Sequence, residues 1–382
     1  MKAAYKYRFY PDKQQEALLA QSFGCVRFVW NKVLGYRNEQ FEAGNKINSS
    51  AAMKYLTDLK KEPEFTFLNH VSSVALQQSI RNQNKAYDNF FAKRAKFPRF
   101  KKRHNRQSLQ LMANAFIIKN DEVYIAKSKN PLNITWSRPI TGKVSSLTIS
   151  KEPSGKYYIS FIAEREQKLL PVVNKTCGID IGLKDLLCFD NGEKIPDMKA
   201  YLLYEKLVLR AQRKLSRFDE RRKRLGLKVS DRSIKRERLR KKLARLREKI
   251  TFIRKDFIHK LTTKIINENQ VICVEDLGIK NMIKNRKLSR RIHEASWGEI
   301  LRQLMYKAEW YGRTIVKINR WYPSSKKCST EGCDYKKDKL PLSVRIWTCP
   351  CCGTRHDRDI NAARNIKAAG QAVLASGVTV AG

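Results

Sequence analysis

The stretch Lys175-Thr176-Cys177-Gly178-Ile179-Asp180-Ile181-Gly182 reads as a short strand that carries a carboxylate at its far end. Leu186-Leu187-Cys188-Phe189 follows, then Asp190-Asn191-Gly192-Glu193 and Lys194-Ile195. Asn191-Gly192 is a strong hairpin-turn signal, because both residue types accept positive φ. So a strand is followed by a hairpin. Farther along, Val271-Ile272-Cys273-Val274-Glu275-Asp276 is a continuous apolar run ending in two acids. An apolar run without alternation marks a buried parallel strand. A helix over about 296–311 and a strand over 314–318 come next. Asp357 and Asp359 then precede Asn361-Ala362-Ala363-Arg364-Asn365-Ile366, which reads as a helix start with Asp359 near the N-cap.

One carboxylate at a strand-to-loop corner is commonplace. The order carries more: strand with Asp, hairpin, long connection, strand with Glu, then Asp at a helix start. That is the order of an RNase H-like nuclease core. Such chemistry needs three or four carboxylates around two Mg²⁺ ions roughly 3.5–4 Å apart. Hard oxygen ligands suit Mg²⁺, which keeps waters that a phosphate can replace. Neighbouring acids leave the register open. Successive strand side chains point to opposite faces, so only one of Glu275 and Asp276 should share a site with Asp180. Asp359 lies closest to the helix start, whereas Asp357 reads as part of the loop before it.

Five of the nine cysteines lie between Cys328 and Cys352. Four residues separate Cys328 from Cys333, two separate Cys349 from Cys352, and fifteen lie between the pairs. This is close to the C-x₂₋₄-C … C-x₂-C spacing of a zinc ribbon, in which four soft thiolates complete a tetrahedral structural site. Cys351 lies between two expected ligands and should point away. Cys25, Cys177, Cys188 and Cys273 sit among apolar neighbours and read as small core residues.

The rest of the chain is dominated by charge. Among 382 residues, 79 Lys and Arg face 36 Asp and Glu, a net charge of +43. Self-repulsion of that size is relieved by a polyanion, and nucleic acid is the expected partner. An anionic membrane fits less well, since no basic helix has a clean exposed apolar face. No run of 18 apolar residues could form a transmembrane helix, and Met1 to Lys6 lead into no apolar signal segment, so secretion is not expected. Basic residues peak in a long helical region over about 198–268, interrupted at Gly226, Ser230 and Asp231 as if at the tip of a hairpin. From 210 to 255 there are 21 basic and 5 acidic residues. Leu239, Leu243, Leu246, Ile250, Ile253 and Phe257 follow a heptad seam. The expected phosphate contacts here are Arg213, Arg217, Arg221, Arg222 and Arg236.

Ahead of this core, Lys2 to Tyr10 alternates like a strand, and helical periodicity runs from Lys13 to Gln40 and over about 72–95. The second helix has a polar side with Gln77, Gln78 and Arg81, either solvated or facing nucleic acid. Phe97-Pro98-Arg99-Phe100-Lys101-Lys102-Arg103 is a boundary, where Lys101 and Lys102 are further candidate contacts. Strands over 115–118, 122–125, 144–150 and 156–164 follow. The expected organisation is a β-rich unit of 1–10 and 96–170, with a helical block of 11–95 inserted. An RNase H-like core of 171–320 with the basic hairpin, a zinc ribbon of 321–357 and the end of the core at 358–382 complete an α/β multidomain chain.

Several of these segments together resemble one family. Gly178-Ile179-Asp180-Ile181-Gly182, Val274-Glu275-Asp276-Leu277, Tyr322-Pro323-Ser324-Ser325-Lys326-Lys327-Cys328, Cys349-Pro350-Cys351-Cys352-Gly353 and Asp357-Arg358-Asp359-Ile360-Asn361 are similar to the TnpB (OrfB) proteins of bacterial insertion sequences. Tyr7-Arg8-Phe9-Tyr10-Pro11, Phe28-Val29-Trp30-Asn31 and Pro98-Arg99-Phe100-Lys101 resemble them too. The resemblance covers nearly the whole chain, and it implies a β-barrel-like wedge for 1–10 and 96–170, a helical recognition block for 11–95 and a RuvC-like core for 171–320 and 358–382. These proteins are similar to the compact ancestors of type V CRISPR effector nucleases. The resemblance implies a catalytic, Mg²⁺-binding triad of Asp180, Glu275 and Asp359, and a structural Zn²⁺ held by Cys328, Cys333, Cys349 and Cys352. It departs at the first zinc pair, which is usually C-x₂-C and is widened here by Ser329-Thr330-Glu331-Gly332.

What it further implies is an RNA-guided DNA endonuclease, with a guide RNA from the transposon end and a double-stranded DNA target cut beside a short motif. A cytoplasmic, nucleoid-associated protein of a bacterium or archaeon is implied with it. Pairing would supply sequence while protein holds the backbone. Two other readings compete: a conventional transposase that joins DNA ends, and a guide-dependent repressor with a decayed nuclease. All three acids stand at their motif positions, which argues against decay.

Overall fold

A computed structural model describes residues 1–197, 200–228, 231 and 233–376. Contacts divide the chain into two units: Met1–Glu166 with Ala211–Arg245, and Gln167–Arg210 with Leu246 onward.

The first unit contains β1 (Lys2–Tyr10), α1 (Lys13–Glu42), α2 (Ser49–Leu59), α3 (Ser73–Phe91), β2 (Gln107–Met112), β3 (Phe116–Lys119), β4 (Glu122–Ile125), β5 (Asn133–Thr135), β6 (Lys143–Lys151) and β7 (Tyr157–Glu164). Five strands form an antiparallel sheet in the order β2-β6-β7-β1-β5, so the first strand of the chain pairs with strands more than a hundred residues away. Its alternation is real: Ala3, Tyr5, Tyr7 and Phe9 are buried, with Lys2, Ala4, Lys6 and Tyr10 exposed. Asp12 then starts α1 through a reciprocal capping box, accepting from Gln15 N–H at 2.8 Å while Gln15 Oε1 accepts from Asp12 N–H. α1 packs on α3, where Ser79 and Gln83 donate to the carbonyls of Val26 and Trp30. Asn120 and Asp121, with φ of 51° and 61°, make the two-residue turn between β3 and β4. α2, β2 and β5 have no counterpart in the sequence reading. Two of them are only 6 and 3 residues long, too short for a periodic signal.

The basic region is a pair of helices, α4 (Ala200–Arg224) and α5 (Ile234–Glu268). Leu243 is buried and the other five heptad positions are half-buried. Gly226 has φ 69° and Asp231 accepts from Lys228 N–H, so the interruption is a built turn; Ser230 lies outside the described residues. The division between units passes through both helices, and it places 211–245 with the N-terminal unit. Arg245 Nε reaches the Ser154 carbonyl at 3.4 Å within that unit.

The second unit is built on β8 (Thr176–Asp180), β9 (Asp185–Phe189), β10 (Lys194–Pro196), β11 (Val271–Glu275) and β12 (Thr314–Ile318), in the order β10-β9-β8-β11-β12. β10, β9 and β8 are antiparallel, and β8, β11 and β12 are parallel. α6 (Ile279–Met282), α7 (Arg286–Ala295) and α8 (Trp297–Tyr311) follow β11, and the ribbon strands β13 (Ile346–Thr348) and β14 (Arg355–Asp357) lead into α9 (Arg358–Ala375).

The sheet is covered on both faces. Cys177, Ile179, Ile272 and Val274 face one core with Ile266, Ile300 and Leu304. Cys273 faces the other with Val316, Ile318 and Ile366. α9 lies against that second face so closely that two glycines are required. A Cβ on Gly178 would stand 2.1 Å from the Ala363 carbonyl oxygen, and one on Gly370 would stand 2.3 Å from Cys273 Sγ. Cys25, Cys177, Cys188 and Cys273 are buried as expected, and burial pushes the Cys177 thiol up to about 12. The start of α9 corrects one expectation. The N-cap is Asp357, which accepts from the N–H groups of Asp359 and Ile360, and Asp359 lies inside the first turn.

Candidate functional site

Strand alternation decides which acids meet. Gly178 and Cys273 face α9, so Asp180 and Glu275, two residues on, emerge on the same side. Asp359 comes to that side on the first turn of α9. Asp276 faces the other way, where Arg320 Nη2 takes its carboxylate at 2.6 Å and Arg320 Nε takes its carbonyl.

Electrostatics ties the three acids together. Asp180 is pushed up to about 7, first by burial, then by the charges of Glu275 and Asp359. Burial also raises Glu275, opposed by the Ser324 hydroxyl, which donates to its Oε1 at 2.5 Å. Asp359 forms an ion pair with Arg345 at 3.2 Å. A carboxyl whose charge is resisted by two neighbouring carboxylates is a place where a cation is favoured, and an all-oxygen donor set fits a hard divalent ion.

Asp357 has a cation of its own in Lys194, 2.7 Å away. Burial opposes its charge, but the Lys194 hydrogen bond and the helix amides outweigh it and pull its pKa below the usual carboxylate range. Asp190, a fourth acid near α9, accepts from Gly178 N–H and pairs with Lys367 at 2.8 Å.

The cysteine cluster assembles despite the widened first pair. The sulfurs of Cys328, Cys333, Cys349 and Cys352 all lie within 4.8 Å of one another, with Cys328–Cys352 and Cys333–Cys349 at 3.7 Å. Four sulfurs about 2.3 Å from one tetrahedral centre would be about 3.8 Å apart, so the donor set fits a metal ion. The extra residues are absorbed at Gly332, with φ 74°, and by the Cys333 N–H bond to the Thr330 carbonyl. Cys351 is exposed and stands outside the cluster. His356 was missed in sequence; its Nε2 lies 3.1 Å from Cys328 Sγ and its ring packs on Trp347. Ser324, Arg345 and Lys194 were missed as partners of the acids. Only Ser324 had a local signal, in the Pro323-Ser324-Ser325 stretch.

Asn361 and Asn365 of α9 join the two centres. Both donate to the carbonyls of Ser324 and Lys327, and Asn361 Oδ1 accepts from Ser329 N–H. The strap that carries Ser324 to Glu275 and Cys328 to the sulfur cluster is thus pinned by the helix that carries Asp359.

The candidate nucleic-acid contacts fall into two groups. Arg213, Arg217 and Arg221 are exposed along α4, and Gln77, Arg81 and Lys102 are exposed in the N-terminal unit. Gln78 is half-buried and bonds Asn82. Arg236 instead makes a bidentate pair with Asp219, and Arg222 bonds the Lys228 and Asp231 carbonyls, so both build the hairpin itself. Lys101 lies 3.8 Å from the Trp30 ring, and its backbone pairs with Asn31 in both directions.

Comparison with known proteins gives matches along the chain. Residues 161–286 match the IS605 OrfB family described as "Probable transposase", residues 297–366 match a "Cas12f1-like, TNB domain", and residues 1–46 match an OrfB "Helix-turn-helix domain". Within 1–46 the structure has β1 and one unbroken helix. The chain is 43% identical to a Streptomyces pristinaespiralis protein, over 99% of this chain and 91% of that one. It is 33% identical to InsQ of Escherichia coli K12, over 99% and 94%. Both are named "Putative RNA-guided DNA endonuclease". Among solved structures, the fold is similar to a Cas12f1–sgRNA–target DNA complex, with a TM-score of 0.57 at 16% identity over 92% of this chain and 83% of that one. It is also similar to the mini-RNA-guided endonuclease CRISPR-Cas_phi3, with a TM-score of 0.50 at 11% identity over 97% and 92%.

Proposed function

We propose that this chain, which belongs to the TnpB/OrfB family, is an RNA-guided DNA endonuclease. The observation that carries this reading is the electrostatic coupling of Asp180 to Glu275 and Asp359 on one side of a sheet that is buried on both faces. A shared patch of carboxylates suits phosphodiester hydrolysis, and full-length similarity to proteins named as guided endonucleases supplies the substrate.

Asp180, Glu275 and Asp359 would hold magnesium. Bound there, magnesium would make the attacking water more acidic and stabilise charge on the leaving 3′ oxygen. The chain's own groups set the stage for this. Ser324 fixes one oxygen of Glu275, and Arg345 fixes Asp359. Asn361 and Asn365 hold the strap that carries Ser324. Cys328, Cys333, Cys349 and Cys352 would hold zinc in a structural role, because four thiolates leave no open coordination position.

The guide would come from the transposon end, with the exposed arginines of α4 on its backbone or on that of the target. A short motif beside the target would be read by the N-terminal unit. The test is to purify the protein from cells carrying its native flanking DNA, sequence the RNA that accompanies it, and offer matching DNA with magnesium. Cuts that require both RNA and Asp180 support the reading. Absence of a discrete RNA, or cutting that survives Asp180→Ala, rejects it.

A further inference from the structure

The short loop after β12 does two things at once. Its ends hold the acids at the end of β11: Arg320 binds Asp276 and Ser324 binds Glu275. Between them it presents Trp321, which at 86% exposure is the most exposed large apolar side chain among the described residues. The loop itself is fixed. Trp321 N–H donates to Asn319 Oδ1 at 2.8 Å, Tyr322 packs on the core beneath α9, and Asn361 and Asn365 grip the Ser324 carbonyl. An indole in water on a rigid loop, between the two residues that bind the acids of β11, is a surface awaiting a partner.

The neighbouring charge indicates which partner. Arg320 is met by Asp276 and Lys327 by Asp334, while Lys326 Nζ bonds a neutral oxygen, the Asp338 carbonyl, and keeps its charge for an anion. A base with its phosphate fits such a surface better than an apolar protein segment does, since aromatic rings take any base face and cations take the backbone. We propose that Trp321 is a stacking platform for an unpaired nucleotide of the DNA strand presented to Asp180, Glu275 and Asp359. Stacking there would hold the strand flat beside the acids and keep it from re-pairing. The assignment rests on the endonuclease reading, but a binding measurement tests it separately.

The experiment uses the guide-loaded Asp180→Ala protein, which should bind without cutting. Indole emission is followed during titration with single-stranded target DNA, with and without the further change Trp321→Phe. The difference between the two titrations isolates Trp321. We expect quenching that is lost with Trp321→Phe. In the otherwise wild-type, guide-loaded protein, Trp321→Ala should slow cutting about 10- to 100-fold, the range expected for one lost base stack, and Trp321→Phe should restore most of it. Equal quenching with and without Trp321, or wild-type cutting by Trp321→Ala, overturns the proposal. If the wild-type protein does not cut at all, the endonuclease reading fails, and the emission difference alone decides the platform.

Discussion

Lys194 Nζ and Asp357 Oδ2 are 2.7 Å apart, and this contact distinguishes two acids that the sequence leaves side by side. Asp357 is a cap with a lysine partner, while Asp359 stands on the side of Asp180 and Glu275. Asp357→Ala should therefore lower stability by about 1 kcal/mol, the usual worth of an N-cap, and keep cutting. Asp359→Ala should abolish cutting with guide and target binding intact. The folded pKa of Asp357 is depressed, so its stabilisation is present above the unfolded value and is lost as pH falls through the lower folded one. Melting of wild type and Asp357→Ala should converge in that acid range. A dead Asp357→Ala beside an active Asp359→Ala would reverse the assignment.

The sulfur cluster should bind one zinc ion per chain. Cys349→Ser removes a buried ligand and should cost about 4 kcal/mol or more, since the metal's binding energy is folding energy for so small a subdomain. Cys351→Ser changes an exposed thiol outside the cluster and should melt like wild type. Elemental analysis of the purified protein together with the two melting curves checks this. Full stability after exhaustive chelation would count against a structural metal.

The strands β8, β9 and β11 were legible from sequence because their signals are local. An apolar run ending in an acid needs no partner to be recognised, and Asn191-Gly192 announces its own turn. Cysteine spacing survives the widened first pair because Gly332 takes up the added length. What stayed hidden depends on partners far along the chain. Lys194 is 163 residues from Asp357, and Ser324 is 49 residues from Glu275. Asp357 reads as loop in the sequence because either Asp could cap the helix, and only the strand pairing of Arg355–Asp357 with Ile346–Thr348 fixes where the helix begins. The arginines were read as one class, though Arg236 and Arg222 are spent on the hairpin.

That distinction is measurable. Arg213, Arg217 and Arg221 are exposed, and replacing all three with Gln should weaken nucleic-acid binding without changing target preference. The slope of log affinity against log salt should fall by about 2 to 3 units, close to one per lost phosphate contact. Arg236→Gln breaks the Asp219 pair instead and should loosen the hairpin while leaving the slope nearly unchanged. An unaltered slope in the triple variant would mean that this face of α4 is merely solvated.

Lys307 gives a prediction about stability alone. Its ammonium is buried between α8 and α5, where it donates to the His259 carbonyl and to the hydroxyls of Thr262 and Thr263. Thr262 also bonds Gln303, which reaches Glu299, so the cation is met mostly by neutral oxygens. Desolvation pulls its pKa down to about 8, from roughly 10.4 in an unfolded chain. For a base, a lowered folded value means that the unfolded chain holds more protons across that interval. Stability from this group therefore rises as pH increases from about 8 to about 10.4, by at most ~3 kcal/mol. Lys307→Met removes the titrating group at similar volume. The urea midpoint of wild type should climb relative to Lys307→Met over that window and run parallel to it below pH 8. Parallel behaviour throughout would show that Lys307 stays charged in the fold, held by its three oxygen partners strongly enough to offset burial.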